Sequence, residues 1–215
     1  MEKLRMLRDQ ILADLLPGVI HEINNPLGAI IMNLSITRDD VTAWKNDGTP
    51  PDIDMMAEAF VDMENASLRI NDYLKALSYF CGAHFLEDST ELDVPTYIRH
   101  AMALSHNQYK RVIPITFDAG TQTCPLLYAP PALFLLLLLF ALKTVVNAKG
   151  GHPLRISVEH TDKHIHIVFA RDDMKIDHFD EQLVALCTQT GVETHVRESG
   201  LILAVAFAFT AARSA

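Results

Sequence analysis

Met56, Phe60, Met63, Ser67, Ile70, Leu74 and Leu77 are spaced alternately four and three residues apart. That spacing holds one apolar seam on a helix for about six turns, and such a seam calls for a partner helix along its whole length. The stretch Asn46-Asp47-Gly48-Thr49-Pro50-Pro51-Asp52, a concentration of turn formers, separates it from an earlier helical stretch that begins near Leu4. Two long helices joined by a short turn make a hairpin whose apolar stripe is too wide to satisfy itself. Dimerisation into a four-helix bundle would bury the remainder; the alternative is a hairpin packed on its own C-terminal half.

The rest of the chain bounds what this hairpin can belong to. With 215 residues, 49% of them hydrophobic and a net charge of −9, the sequence is too apolar for disorder and long enough for a sizeable core. Its longest apolar run, Ala132 to Leu142, covers eleven residues. A bilayer needs ~20, so the run reads as a buried helix and no membrane partner is expected. The first residues, Met1-Glu2-Lys3-Leu4-Arg5, are charged and lack the hydrophobic segment of a signal peptide. Cys81, Cys124 and Cys187 are well separated and form no CxxC pair. They read as reduced thiols, and the expected localisation is cytoplasmic. Acidic side chains outnumber basic ones by 27 to 18, and no Lys/Arg block occurs, which argues against nucleic acid as a partner.

After a polar link around His84 to Thr90 the pattern becomes mixed. Asp93 can cap a helix over Pro95–Ser105, Val112–Phe117 reads as a strand, and a long helix is expected from Pro131 to Asn147, ended by Gly150-Gly151. Leu154–Glu159 and His164–Ala170 alternate at period two and predict a hairpin around Thr161-Asp162. A helix near Phe179–Thr190 and two strands, Glu193–Glu198 and Leu201–Phe209, complete an α/β layer.

The most informative stretch is Leu16-Pro17-Gly18-Val19-Ile20-His21-Glu22-Ile23-Asn24-Asn25-Pro26-Leu27-Gly28. At ~100° per residue from His21, Leu12, Leu16, Ile20, Ile23, Leu27, Ile30 and Leu34 fall at roughly 180° to 260° and form the expected core stripe. Asp14, Pro17, Gly18, Asn24, Asn25 and Gly28 fall within about 60° of the histidine. His21 therefore projects from a polar face of small side chains, where a macromolecular donor can approach closely. Glu22 is adjacent and could orient or deprotonate the ring. Asn25, one turn on, offers an amide to a phosphoryl oxygen or a water. Pro26 removes a helical hydrogen bond just past the site and should kink the helix.

The string His21-Glu22-Ile23-Asn24-Asn25-Pro26-Leu27 resembles the H-box of bacterial two-component sensor histidine kinases. The end of the second helix, Arg69-Ile70-Asn71-Asp72-Tyr73-Leu74-Lys75-Ala76-Leu77, resembles the second helix of that family's dimerisation and phosphotransfer domain. Together these features cover about the first 86 residues. The resemblance implies that His21 is the phosphoacceptor, Glu22 a general base, and Asn25 a phosphatase or water-positioning residue. It implies an α+β fold, in which a dimerising helical hairpin over 1–86 precedes a degenerate ATPase-like α/β sandwich over 91–215.

The second half keeps the family's order of elements without its nucleotide chemistry. Aligning Phe140-Ala141-Leu142-Lys143 with the start of the N-box puts Phe140 where an asparagine should hold Mg²⁺, and a phenyl ring cannot coordinate a hard cation. Asn147, two turns further on, is a poor substitute. Phe169-Ala170-Arg171-Asp172-Asp173-Met174-Lys175-Ile176 stands where Asp-x-Gly-x-Gly belongs; Asp172 or Asp173 could be the acid, but both glycines are missing. The last glycine-rich box, which cradles phosphates, has no counterpart. No cofactor and no resident metal is therefore expected, ATP binding having been lost and Mg²⁺ coming with the partner.

His160, His164 and His166 suggest a metal cluster, but strand parity turns His164 and His166 outward and His160 inward, so the three should not converge. The sequence thus predicts a cytoplasmic homodimer that relays phosphoryl groups between response-regulator receiver domains through His21. A divergent ATP-dependent kinase, a regulator phosphatase acting through Asn25, and a non-catalytic scaffold or inhibitor are the alternatives.

Overall fold

The computed structural model describes residues 2–81, 88–110, 112–120, 124–172, 180–197 and 200–206. Helix α1 (Glu2–Asp47) runs unbroken through Pro17 and Pro26. Gly48 ends it with φ 76°, its N–H bonding the Trp44 carbonyl at 3.1 Å. Asp52 then opens α2 (Ile53–Cys81) by accepting hydrogen bonds from the N–H groups of Asp54 and Met55. The expected hairpin is present.

Beyond it, β1 (Thr90–Leu92) pairs antiparallel with β3 (Leu127–Ala129), a two-stranded sheet that no sequence signal announced. Asp93 caps α3 (Val94–Tyr109) as expected, accepting from the Thr96 backbone and hydroxyl. Strand β2 (Ile115–Asp118) begins later than Val112–Phe117 suggested. Val112 and Ile113 instead close a turn onto the Tyr109 carbonyl, and Pro114 has no N–H to give a ladder. The central helix α4 (Pro131–Asn147) lies where expected.

Strands β4 (Leu154–His160) and β5 (His164–Ala170) form the expected hairpin, followed by α5 (Glu181–Thr190), β6 (Glu193–Arg197) and β7 (Gly200–Ala206). The expected helix start at Phe179, Glu198 of the first closing strand and residues 207–209 of the last lie outside the described residues. The sheet order is β2-β4-β5-β7-β6, with β2 parallel to β4 and the remaining pairs antiparallel. A helical N-terminal part followed by an α/β layer is thus the observed architecture.

The period-two reading of β5 is sound. Ile165, Ile167 and Phe169 are buried on the helix side, with Val205, Leu203 and Leu201 of β7 opposite them. His164 and His166 sit on the other side with their rings stacked 6.4 Å apart, and His160 opposes Ile165 at the exposed end of β4. Gly200 has to be glycine, since a Cβ there would lie 2.6 Å from the Phe169 carbonyl oxygen.

Two expectations about helices need correction. The glycines after α4 are not its cap: Ala148 caps the helix in an extended conformation, and Gly150, at φ 135°, follows two residues later. The buried Arg171 guanidinium instead donates to the carbonyls of Val145, Ala148 and Lys149 at the helix end. A buried cation there satisfies groups that would otherwise be orphaned and matches the helix dipole.

The second correction concerns α1. Its buried residues are Leu4, Leu7, Ile11, Leu15 and Val19, which lie at roughly 40° to 160° from His21 at ideal geometry. Of the expected stripe, Leu16, Ile20, Leu27 and Leu34 are exposed in the single chain, while Leu12, Ile23 and Ile30 are half-buried. The N-terminal half of α1 is claimed by the α/β layer, which packs against a face about a third of a turn from the one expected.

Candidate functional site

Pro17 and Pro26 bracket the polar face of α1 that carries His21. Proline has no N–H, so each frees carbonyl groups one turn earlier to bond elsewhere. Three residues before Pro17, the Asp14 carbonyl accepts from Gln108 Nε2 at 2.7 Å. Next along the same face is Gly18, where an added Cβ would stand 3.1 Å from Asn107 Cβ. One turn further, Glu22 Oε1 bonds Lys110 Nζ at 2.9 Å. Asp14, Gly18 and Glu22 are four residues apart, so the last turn of α3 lies along a single line of α1. The absence of a side chain at Gly18 lets α3 approach, so at this position the clearance is filled by the α/β layer rather than open to an incoming donor.

His21 is exposed, and its ring Nδ1 is 3.1 Å from the amide nitrogen of Asn25. Asn25 is therefore the residue that orients the ring. In this orientation Nδ1 accepts and the ring proton is on Nε2. Turning the amide over presents Oδ1 instead, holds the proton on Nδ1 and leaves the Nε2 lone pair free towards solvent. The carboxylate of Glu22 is engaged by Lys110 rather than by the ring, and the pair is half-buried, with side-chain exposures of 16% and 31%. The three residues expected at the site thus divide: Asn25 meets His21, and Glu22 turns towards the α/β layer.

On the Glu22 and Asn25 side a cavity of about 910 Å³ opens between α1, α2, α3 and the start of β2. Its polar lining includes Glu22, Asn25, Arg69, Tyr73, His106 and Lys110. Burial raises the Tyr73 hydroxyl pKa first, the Glu22 charge raises it further, and Arg69 opposes both. Sequence reasoning passed over Tyr73, His106 and Lys110. Lys110 lies 88 positions from its partner Glu22, and no local pattern marks it.

The region where the resemblance would put nucleotide chemistry is different in kind. Phe140 is 0% exposed within α4, its ring 5.7 Å from the Lys143 ammonium. Arg171 is committed to the end of the same helix. Among the described residues no group of three or more His, Cys, Asp or Glu side chains is placed to hold a metal ion. No described helix is long and apolar enough to cross a membrane.

No protein-family model matches the chain, and no curated protein matches it by sequence. Solved structures similar to it include the Acinetobacter baumannii histidine kinase AdeS, at 11% identity and a TM-score of 0.45 over 85% of this chain and 96% of that one. Histidine kinase ThkA in complex with response regulator TrrA is similar at 15% identity and a TM-score of 0.43, over 94% and 64% of the two chains. A bacterial phosphotransferase is similar at 14% identity and a TM-score of 0.40, over 91% and 95%.

Proposed function

We propose that this chain is a homodimeric histidine phosphotransferase that relays phosphoryl groups between response regulators through His21, without using ATP. The observation that carries this reading is the exposed His21 ring, held at Nδ1 by Asn25 at 3.1 Å beside a cavity large enough to receive part of a partner. With the Asn25 amide turned to hold the proton on Nδ1, Nε2 attacks the phosphorus of a regulator's phosphoaspartate. The N–P bond forms as the P–O bond to the aspartate breaks, and the electron pair returns to the aspartate carboxylate. The ring, protonated at Nδ1 and phosphorylated at Nε2, passes the group to a second aspartate by the reverse displacement. Such transfer depends on alignment and charge stabilisation, and the regulator would supply the divalent cation. Glu22 is the proposed base for the ring proton, and Asn25 the amide that orients a phosphoryl oxygen or a water.

The buried Phe140 supports the ATP-independent part of the reading, because it gives a cation no oxygen where the resemblance calls for one. The homodimer is supported by an uncovered apolar lane. Leu16, Ile20, Leu27, Ile31 and Leu34 of α1 lie at roughly 220° to 280° from His21, and Phe60 and Leu74 of α2 are likewise exposed. In α2, Met63 is buried and Met56, Ile70 and Leu77 are half-buried, so one lane of the heptad seam is used within the chain and the other is left open.

Mixing radiolabelled phosphoregulator with the wild-type chain and with His21→Ala tests the proposal. Label should move to the wild type and be absent from the variant, and label that does not depend on His21 overturns it. A calorimetric titration with ATP and Mg²⁺ should show no micromolar binding; such binding would favour an autokinase instead.

A further inference from the structure

We infer that Lys110, a residue of the α/β layer, is a positioning residue for the His21 site and acts through Glu22. This inference rests on the phosphotransfer reading above and assigns a role to a side chain far from the motif in sequence.

Three contacts place the end of α3 along α1 at successive turns: Gln108 on the Asp14 carbonyl, Asn107 on Gly18, and Lys110 on Glu22. The last of these reaches the residue directly after His21. Lys110 is itself fixed, since it caps α3 with its N–H on the His106 carbonyl at 2.8 Å. Its ammonium therefore comes from a firm helix end rather than from a loose surface chain. The Glu22 and Lys110 side chains are 16% and 31% exposed, where an ion pair is screened less than at an open surface. The other charged or titratable groups lining the cavity with Glu22 are Asp62, Arg69 and Tyr73 of α2 and His106 and Tyr109 of α3. Among the described residues, the group bonded to its carboxylate is Lys110.

The pair decides where the carboxylate is and what charge the cavity presents. With Lys110 in place, the Glu22 carboxylate is paired and fixed one residue from His21, in the position from which it serves the ring as base. Without it, an unpaired carboxylate would face an incoming phosphoryl group, itself dianionic, and would lose that fixed position. Either change slows transfer. In this way the α/β layer contributes to the phosphoacceptor site without binding nucleotide.

The role is tested by a double-mutant cycle on the full-length chain, following transfer from radiolabelled phosphoregulator at several regulator concentrations. Lys110→Gln should slow transfer at saturating regulator by about tenfold, and Lys110→Arg should restore most of the rate. In a Glu22→Gln background, Lys110→Gln should have no further effect, because the side chain on which Lys110 acts has lost its charge. Equal losses in both backgrounds, or a wild-type rate for Lys110→Gln, would overturn the role of Lys110 while His21-dependent labelling of the wild type leaves the phosphotransfer reading standing. No label on the wild type overturns both.

Discussion

Helix α4 buries fourteen of its 17 residues, whereas α1, with 46, buries five. Both helices matter to the proposed function, in opposite ways. α4 is apolar all round, and neighbours on every side satisfy it. α1 changes its role along its length: one face packs on the α/β layer as far as Val19, the polar face with His21 follows, and the later apolar positions Leu27, Ile31 and Leu34 remain open. A helix like α4 can supply stability but cannot present chemistry to a protein partner. A helix like α1 can do so because its apolar residues are confined to lanes that leave a polar strip free.

The sharpest way to break this comparison is to charge the open lane. The double variant Leu27→Glu and Leu34→Glu should convert a dimer to a monomer. Each leucine withdrawn from an interface is worth about 1.5 kcal/mol or more, so the dimer dissociation constant should rise by at least about a hundredfold. Light scattering reads the mass, and circular dichroism should show helix content retained, since neither side chain is buried in the single chain. A wild-type chain that is monomeric at tens of micromolar would remove the basis for the two-lane description of the hairpin.

Phe140 and His21 make the next contrast, which is one of stability. Phe140→Ala should cost about 3–5 kcal/mol in urea unfolding, because it opens a cavity among Leu, Ile and Phe side chains. His21→Ala, on an exposed face, should stay within about 0.5 kcal/mol of the wild type. If the two variants unfolded alike, the division between a structural helix and a working helix would be lost.

How much of this was legible in the sequence follows the same line. The hairpin, the α4 boundaries, the Asp93 cap and the β4–β5 alternation rest on local rules of periodicity and capping, and each is seen. The buried stripe of α1 differs from the expected one for a non-local reason. Leu4, Leu7, Ile11, Leu15 and Val19 form one apolar set, while Leu16, Ile20, Leu27 and Leu34 form another. Periodicity registers both, but only the position of α3 decides which is covered within the chain. Gly150-Gly151 carries the usual local signal for a helix stop, while the actual partner of those carbonyls, Arg171, is more than twenty positions away. At the candidate site His21 and Asn25 were readable because they are one turn apart on one helix. Lys110 was not, because its meeting with Glu22 depends on the fold.

Two buried titrating groups allow the core and the seam to be followed separately. Burial in α5 pushes the Cys187 thiol up to about 11, from an ordinary value of 9.0. At the end of α3, beside α1, burial and then the Asp14 and Asp180 carboxylates push the Tyr109 hydroxyl up to about 12, from 10.0. In both cases the folded chain keeps a proton that the unfolded chain has released. Stability from each group is therefore complete below its unfolded pKa and falls as pH rises through the folded one, with a slope of up to about 1.4 kcal/mol per pH unit per group. Urea unfolding of the wild type at successive pH values should show stability declining between pH 9 and 12. Cys187→Ala should flatten the lower part of that decline, from 9 to 11, and Tyr109→Phe the upper part, from 10 to 12. Should Cys187→Ala decline as steeply as the wild type below pH 10, the thiol is not held protonated by the core, and the close packing of α5 on α4 would be in error.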